Sequence, residues 1–240
     1  MTVGLLSEVV LRPVRGHHVF EGCVEQLATA IRLGIYRSGS ALPAERELAD
    51  RMGVSRATLR EAIAALREAG LVRTTRGRSG GSVVAYEPRE PAQEEVPGLV
   101  GRSTQLVDCL VFRRVVEPGA CWTAAGLELS EQERALLKTA LNEVAQAPDP
   151  AAHRQADSRL HLAIATVTRS PAMIAAVTDV QSCLHEMLQA IPVLPVNIEH
   201  SSTQHAAIVA AILDGSPVRA RRAMEQHCED TAALLRGLLD

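Results

Sequence analysis

The sequence predicts a mainly α protein in two parts: three helices closed by a two-stranded β-hairpin, then an all-helical bundle of about six helices. Three observations carry this. Of the 240 residues, 47% are hydrophobic but only 2% aromatic, so the cores must be built from Leu, Ala, Val and Ile, a composition that leans toward helix rather than sheet. Apolar residues recur at helical spacing through most of the chain, while LVRTT and SVVAY, joined by the glycine-rich RGRSGG, have the β-branched content and connection of a hairpin. Between the parts, EPREPAQEEVPG is rich in proline and glutamate and has no apolar period, as a linker does. The division is therefore a first domain over 1–86 with its core at about 18–86, a linker over 87–101, and a second domain over 102–240.

In the first domain, Val19, Val24, Leu27, Ile31 and Ile35 predict a helix over 18–35, with Gly34 and Gly39 at its exit. Pro43 opens PAERELADRM, where its fixed φ suits a first helical turn. Gly53 ends that second helix. Ser55 is the expected N-cap of SRATLREAIAALREAG, whose inward stripe is Leu59, Ile63 and Leu66 and whose stop is Gly70. Helix, the short turn at MGVS, helix and hairpin make a winged helix-turn-helix.

In the second domain, residues 102–127 read as helix interrupted at Pro118, and Ser130 with Glu133 forms a capping box before the next helix. Further helices are expected at about 150–168, 171–190, 199–214 and 216–238, bounded by DP, SP, PVLP and DGSP. Each has one apolar stripe that its neighbours must cover, which is the condition for a bundle.

Charge is distributed unevenly. Residues 1–86 hold 12 Arg and no Lys against 8 acids, a balance of +4, and the remainder holds 13 basic and 20 acidic residues, a balance of −7. A basic module on an acidic one fits a chain whose first part meets a polyanion. No apolar run reaches the length of a membrane span, and the N-terminus carries charges where a signal peptide needs a clean apolar stretch, so a cytoplasmic protein is expected. Cys23, Cys109, Cys121, Cys183 and Cys228 are odd in number and scattered, as reduced core thiols are.

Two constellations carry chemistry. With Leu59, Ile63 and Leu66 turned inward, Arg56 and Arg60 lie four apart on the outer face of the third helix, where helix-turn-helix proteins approach base edges. Arg46 begins the second helix near the crossing phosphates, and Arg76 with Gly77 occupies the wing tip. The second constellation is Asp157 and His161, one turn apart in DSRLH, with His205 and His227 on the last two helices. Three helices converging one carboxylate and three imidazoles make a metal site in outline. Such N/O ligation suits zinc first, and nickel, cobalt or manganese also. His17, His18, His153, His185 and His200 are assigned to surface or hydrogen-bonded core positions.

The run LPAERELADRMGVSRATLREAIAALREAGLVRTTRGRSGG resembles the winged helix-turn-helix of the GntR family of bacterial transcriptional regulators. The resemblance implies DNA contacts by Arg46, Arg56, Arg60, Arg76 and Gly77, the set that the side chains themselves indicate. The order RRVVEP, DSRLH, QHAAIVAAILDGSPVRARRAMEQH is similar to the FCD effector domain of the FadR subfamily. That similarity implies metal ligation by Asp157, His161, His205 and His227. It also implies an effector carboxylate held by Arg113, with the neighbouring Arg114 an alternative one position away. Leu160 stands where many members place Phe.

The function expected is that of a DNA-binding regulator, a repressor relieved by its effector. A homodimer would meet a palindromic operator on double-stranded DNA, and a small carboxylate would bridge metal and Arg113. Regulation then requires that the effector bind one arrangement of the dimer more tightly than another. Two alternatives remain at this stage. A metal-dependent hydrolase or isomerase would use the same ligands but finds only Glu186, beside His185, as a general base, and has no use for the arginine-bearing helix. A metal-free regulator responding to acyl-CoA would leave the histidines structural.

Overall fold

A computed structural model describes residues 6, 9–14, 18–75, 81–88, 103–188 and 195–237, and the chain divides into two compact units, Met1–Pro88 and Arg89–Asp240. The wing tip at 76–80 and most of the expected linker lie outside the described residues.

The first unit is built from α1 (Val19–Arg32), α2 (Glu45–Met52), α3 (Arg56–Glu68), β1 (Val72–Thr75) and β2 (Gly81–Val84). The strands pair antiparallel, with Val72 opposite Val84 and Thr75 opposite Gly81. Leu27, Ile31, Leu48, Leu59 and Ile63 are buried, so the three helices share one apolar core. Helix α1 stops three residues before the sequence pattern does. Gly34 takes φ 70°, a left-handed conformation that costs glycine little, and the Ile35 N–H turns back to the Ala30 carbonyl at 2.9 Å. Ile35 remains buried in the core but outside the helix. Pro43 is also placed differently from expectation. Ala44, with ψ 140°, is the N-cap of α2 and its carbonyl receives the first helical bond from Leu48 N–H, so the proline sets the extended approach instead of the first turn.

The turn between α2 and α3 follows the sequence closely. Gly53 has φ 63°, and a side chain there would meet the ring of Pro13 at 3.3 Å. Ser55 Oγ accepts from Thr58 N–H at 3.0 Å and caps α3.

The second unit holds α4 (Ser103–Ala125), α5 (Glu131–Ala145), α6 (Pro150–Val167), α7 (Pro171–Leu188), α8 (Pro195–Leu213) and α9 (Pro217–Gly237). Ser130 and Glu133 form the expected capping box, and Asp149 caps α6 through Ala152 N–H at 2.7 Å. Helix α4 does not break at Pro118, contrary to the sequence reading; it runs 23 residues with the proline inside. An interior proline removes one helical hydrogen bond at a cost of about 3 kcal/mol or more. Packing against α6, α7, α8 and α9, with Leu106, Val116, Ala120, Cys121 and Ala124 buried, offsets that loss. Helix α8 begins four residues before the expected 199, since Pro195 is tolerated at a first helical position.

Helix α6 is the central member. From Ser158 to Val167 every residue is buried, so this half has no solvent face and carries His161 into the core. The five cysteines are free thiols, all buried except the half-buried Cys183. Among the described residues, no helix is long and apolar enough to cross a membrane.

Candidate functional site

Helix α6 presents His153, Asp157 and His161 at successive intervals of four, and therefore on one face. Helices α8 and α9 supply His205 and His227. Candidate ligand atoms of His161, His205 and His227 all lie within 4.8 Å of one another. The ring centroids are 4.6 to 5.6 Å apart, and no hydrogen bond joins one ring to another. Asp157 adjoins the cluster, with Oδ1 3.2 Å from His205 Nε2 and Oδ2 3.9 Å from His161 Nε2. The structure thus brings His161, His205 and His227 together with Asp157 beside them, the four candidate residues read from the sequence.

The nitrogens have the chemistry of a metal site. Both ring nitrogens of His161, Nδ1 of His205 and Nε2 of His227 are buried with no hydrogen-bond partner. Burying such atoms unpaired is costly, and a cation is the ligand that satisfies several lone pairs at one point. One Nδ1 is hydrogen-bonded and another lies against a carboxylate. His227 Nδ1 lies 3.0 Å from Gln204 Oε1, and His161 Nδ1 lies 3.0 Å from Glu117 Oε2. The Gln204 hydrogen bond on Nδ1 fixes the His227 ring and leaves its Nε2 as the donor to an ion.

Burial disfavours the charged form of two of the rings. Burial pushes the His205 imidazole down to about 4, with Asp157 only partly opposing it, and burial together with the Arg113 charge holds His227 well below its ordinary value. For Glu117, burial raises the carboxyl, but Arg113 and His161 pull it the other way and the net position is well below the usual carboxylate range. Asp157 behaves alike, with His205 and His161 outweighing burial. Ionised Asp157 and neutral imidazoles at His205 and His227 are protonation states that metal binding needs.

Arg113 and Arg114 are separated by the fold. Arg113 is 2% exposed, donates from Nε to Glu117 Oε2 at 2.8 Å and has its buried Nη1 without a partner, on the wall of a cavity of about 170 Å³. Arg114 points outward and pairs with Glu229 at 2.7 Å. The same cavity is lined by Asp157 and His227, and by His153, His185 and His200, which the sequence alone assigned to ordinary positions. Glu186 is exposed and does not line it.

Glu117 and Gln204 were not singled out from the sequence. For Glu117 the available signal was its spacing, four residues after Arg113 on a helix, which permits the pair. Gln204, adjacent to His205 in QH, offered none.

In the first unit, Arg46, Arg56 and Arg60 are exposed. Arg56 and Arg60 lie on the outer face of α3, opposite buried Leu59, Ala62, Ile63 and Leu66. Arg60 Nε is 3.6 Å from Glu45 Oε2, an exposed pair of the kind worth about 0–1 kcal/mol and easily exchanged for another anion. Arg76 and Gly77 lie outside the described residues. Arg73, on β1, is a further exposed cation of the first unit.

Comparison with known proteins gives matches over both units. Residues 21–81 match the model for bacterial regulatory proteins of the gntR family, and residues 108–230 match the FCD domain. A putative HTH-type transcriptional regulator, RmpR of Mycobacterium gastri, is 32% identical over 86% of this chain and 76% of its own. The HTH-type transcriptional repressor NanR of Klebsiella aerogenes is 29% identical over 95% of this chain and 89% of its own. Among solved structures, McbR/YncC of E. coli aligns over 94% of this chain and all of its own with a TM-score of 0.56 at 16% identity, a likeness of fold.

The depressed His205 value has a consequence for stability. In the unfolded chain histidine titrates near about 6.5, so between that pH and about 4 the unfolded state binds a proton that the folded state refuses. This contribution is complete above about pH 6.5 and is lost as pH falls through that window. Thermal unfolding of chelator-treated protein from pH 7.5 down to 4.5 should show a falling midpoint, and a flat profile would contradict a buried neutral His205.

Proposed function

Because this chain belongs to the GntR family of bacterial regulatory proteins and carries an FCD domain, we propose that it is a metal-dependent repressor whose hold on DNA is released by a small carboxylate. It is a DNA-binding transcriptional regulator and not an enzyme, as its relatives are regulators. The observation that carries the finer reading is the cluster of three buried imidazoles, whose member His227 lines one small cavity together with Asp157 and Arg113, the latter with an unpartnered Nη1.

Asp157, His161, His205 and His227 would hold a divalent transition ion, zinc in first place with nickel, cobalt or manganese also suited to N/O ligands. When bound, the ion supplies a Lewis-acidic centre for a carboxylate oxygen. Arg113 offers charge-assisted donation to the same carboxylate, and Glu117 keeps that guanidinium in place from behind. The size of the cavity favours a compact effector over acyl-CoA, since a cavity of about 150 Å³ accommodates a molecule the size of benzene. Repression as the sign is supported by the likeness to a relative that is itself named a repressor.

On the DNA side, Arg56 and Arg60 would meet base edges in the major groove, and Arg46 with Arg76 and Gly77 the phosphates. A homodimer on a palindromic operator is supported by α4, where Val107, Val111, Val115 and Trp122 form an exposed apolar row although each is large and hydrophobic. Arg114, Arg221, Arg222, Glu225 and Glu229 border the row with both signs of charge, so a two-fold related copy can set basic groups against acidic ones.

Three outcomes test these assignments. Metal content and competition titration with a zinc chelator should show affinity reduced more than about tenfold in Asp157→Ala; the same affinity in both proteins refutes the ligand set. With an operator selected from random duplexes, Arg56→Ala should lose about 1–3 kcal/mol of discrimination at particular base pairs, while Arg46→Ala weakens all sequences alike and lowers the salt slope by about 1. Sedimentation should give a dimer for the natural chain and a shift to monomer for Val115→Glu, and an unchanged dimer removes α4 from the interface.

A further inference from the structure

Two of the five thiols meet where α4 packs against α7. Cys109, on α4, is 7% exposed, and its Sγ reaches the Val180 carbonyl of α7 at 3.9 Å. Val180 and Cys183 are three residues apart on that helix and therefore share a face, which turns Cys183 toward α4. Cys183 packs against the apolar cluster that holds Cys109, Leu106, Leu110, Val180 and Leu184. The two thiols are hydrogen-bonded to each other.

The five cysteines differ in chemistry. Burial pushes the Cys23 and Cys121 thiols up and raises Cys228 to about 12, so these three stay protonated and inert. Cys183 is half-buried, and its thiol is held below its ordinary value because Cys109 donates to its sulfur; burial and the exposed acids Glu186 and Asp108 oppose this only in part. Cys109 is held up in turn, by the same hydrogen bond first and by burial next. A thiol with solvent access and thiolate character, set beside a protonated partner, is the arrangement of an attacking and a resolving cysteine.

We propose that Cys109 and Cys183 form an oxidation site, at which a hydroperoxide closes a disulfide between α4 and α7. The Cys183 thiolate attacks one peroxide oxygen and the O–O bond breaks; the hydroxide that leaves takes up a proton as water, and Cys183 becomes a sulfenic acid. Cys109 then gives up its proton and its sulfur attacks that of Cys183, expelling a second water as the S–S bond forms. Two thiols are oxidised and one peroxide is reduced to water. A dithiol reductant reverses the bond by exchange, so in a reducing compartment it is transient and reports oxidant. Arg113 stands one turn after Cys109 on α4, and Gln181, which donates to Glu117 at 2.6 Å, is two residues before Cys183 on α7. The bond therefore ties the two helices beside the polar contacts of Glu117. The site requires neither metal nor effector and stands independently of those assignments.

Peptide mapping of the full-length protein, exposed to hydrogen peroxide and then alkylated in denaturant without reductant, tests this. The alkylated thiols should fall by two, from five to three, with Cys109 and Cys183 recovered in one cross-linked fragment from within a single chain. Dithiothreitol should restore all five. In Cys109→Ser the cross-link is lost and Cys183 stops at the sulfenic acid, which dimedone labels; in Cys183→Ser neither a cross-link nor a label forms at the buried Cys109. Five alkylated thiols in the natural chain after peroxide overturn the proposal, as does a cross-link to any other cysteine or an equal loss of thiols in Cys109→Ser. The map of the natural chain decides the matter even where serine disturbs the buried position 109.

Discussion

One buried carboxylate holds the second unit in register. Glu117 is 1% exposed, yet it receives Arg113 Nε at 2.8 Å, Gln181 Nε2 at 2.6 Å and the Cys228 thiol at 3.7 Å, and lies 3.0 Å from His161 Nδ1. Those partners come from α4, α7, α9 and α6. Desolvating a carboxylate costs several kcal/mol, and the penalty is met only when its lone pairs are occupied with good geometry. Each partner lost makes the buried charge more costly, so the four helices are coupled through this group in addition to their apolar packing. The interior proline of α4 is tolerable in the same setting, because the helix that carries it is anchored on several sides.

The imidazole cluster depends on that anchor. His161 is oriented by Glu117 and His227 by Gln204, and both rings keep a buried nitrogen unsatisfied. An isolated domain gains nothing from three buried imidazoles crowded around one point. The arrangement becomes reasonable if stability is given up there for the ability to receive a ligand, as buried polar groups at functional sites commonly do. Placing the cluster on three helices means that any ligand drawing these rings together also acts on helix positions. A binding event can thereby favour one arrangement of the bundle over another.

The first unit follows a different economy. Its recognition surface is built from local devices: a left-handed glycine at the turn, a serine cap on α3, and an apolar stripe whose burial leaves the arginines on the far side. These devices act within a few residues, which is why the helices, turn and hairpin were legible from sequence while the polar partners in the second unit were not.

Sequence by itself determined what depends on neighbours along the chain. The Ser55 cap, the Ser130–Glu133 capping box, the inward stripe of α3 and the shared face of Asp157 and His161 all follow from spacings of three and four residues, and the rest of the ligand set and Arg113 came from resemblance to a family. What only tertiary structure decided is rotation and partnership. Arg113 and Arg114 are equivalent in sequence, and the packing of α4 turned one into the cavity and the other to Glu229. His153 and His185 looked ordinary until α6 and α7 faced each other across the same space, and Glu117 gained its role from helices far away in the chain. The physical reason is that hydrogen-bond capping and helical period act within a turn, whereas the direction in which a buried polar group faces is set by which other helices must satisfy it.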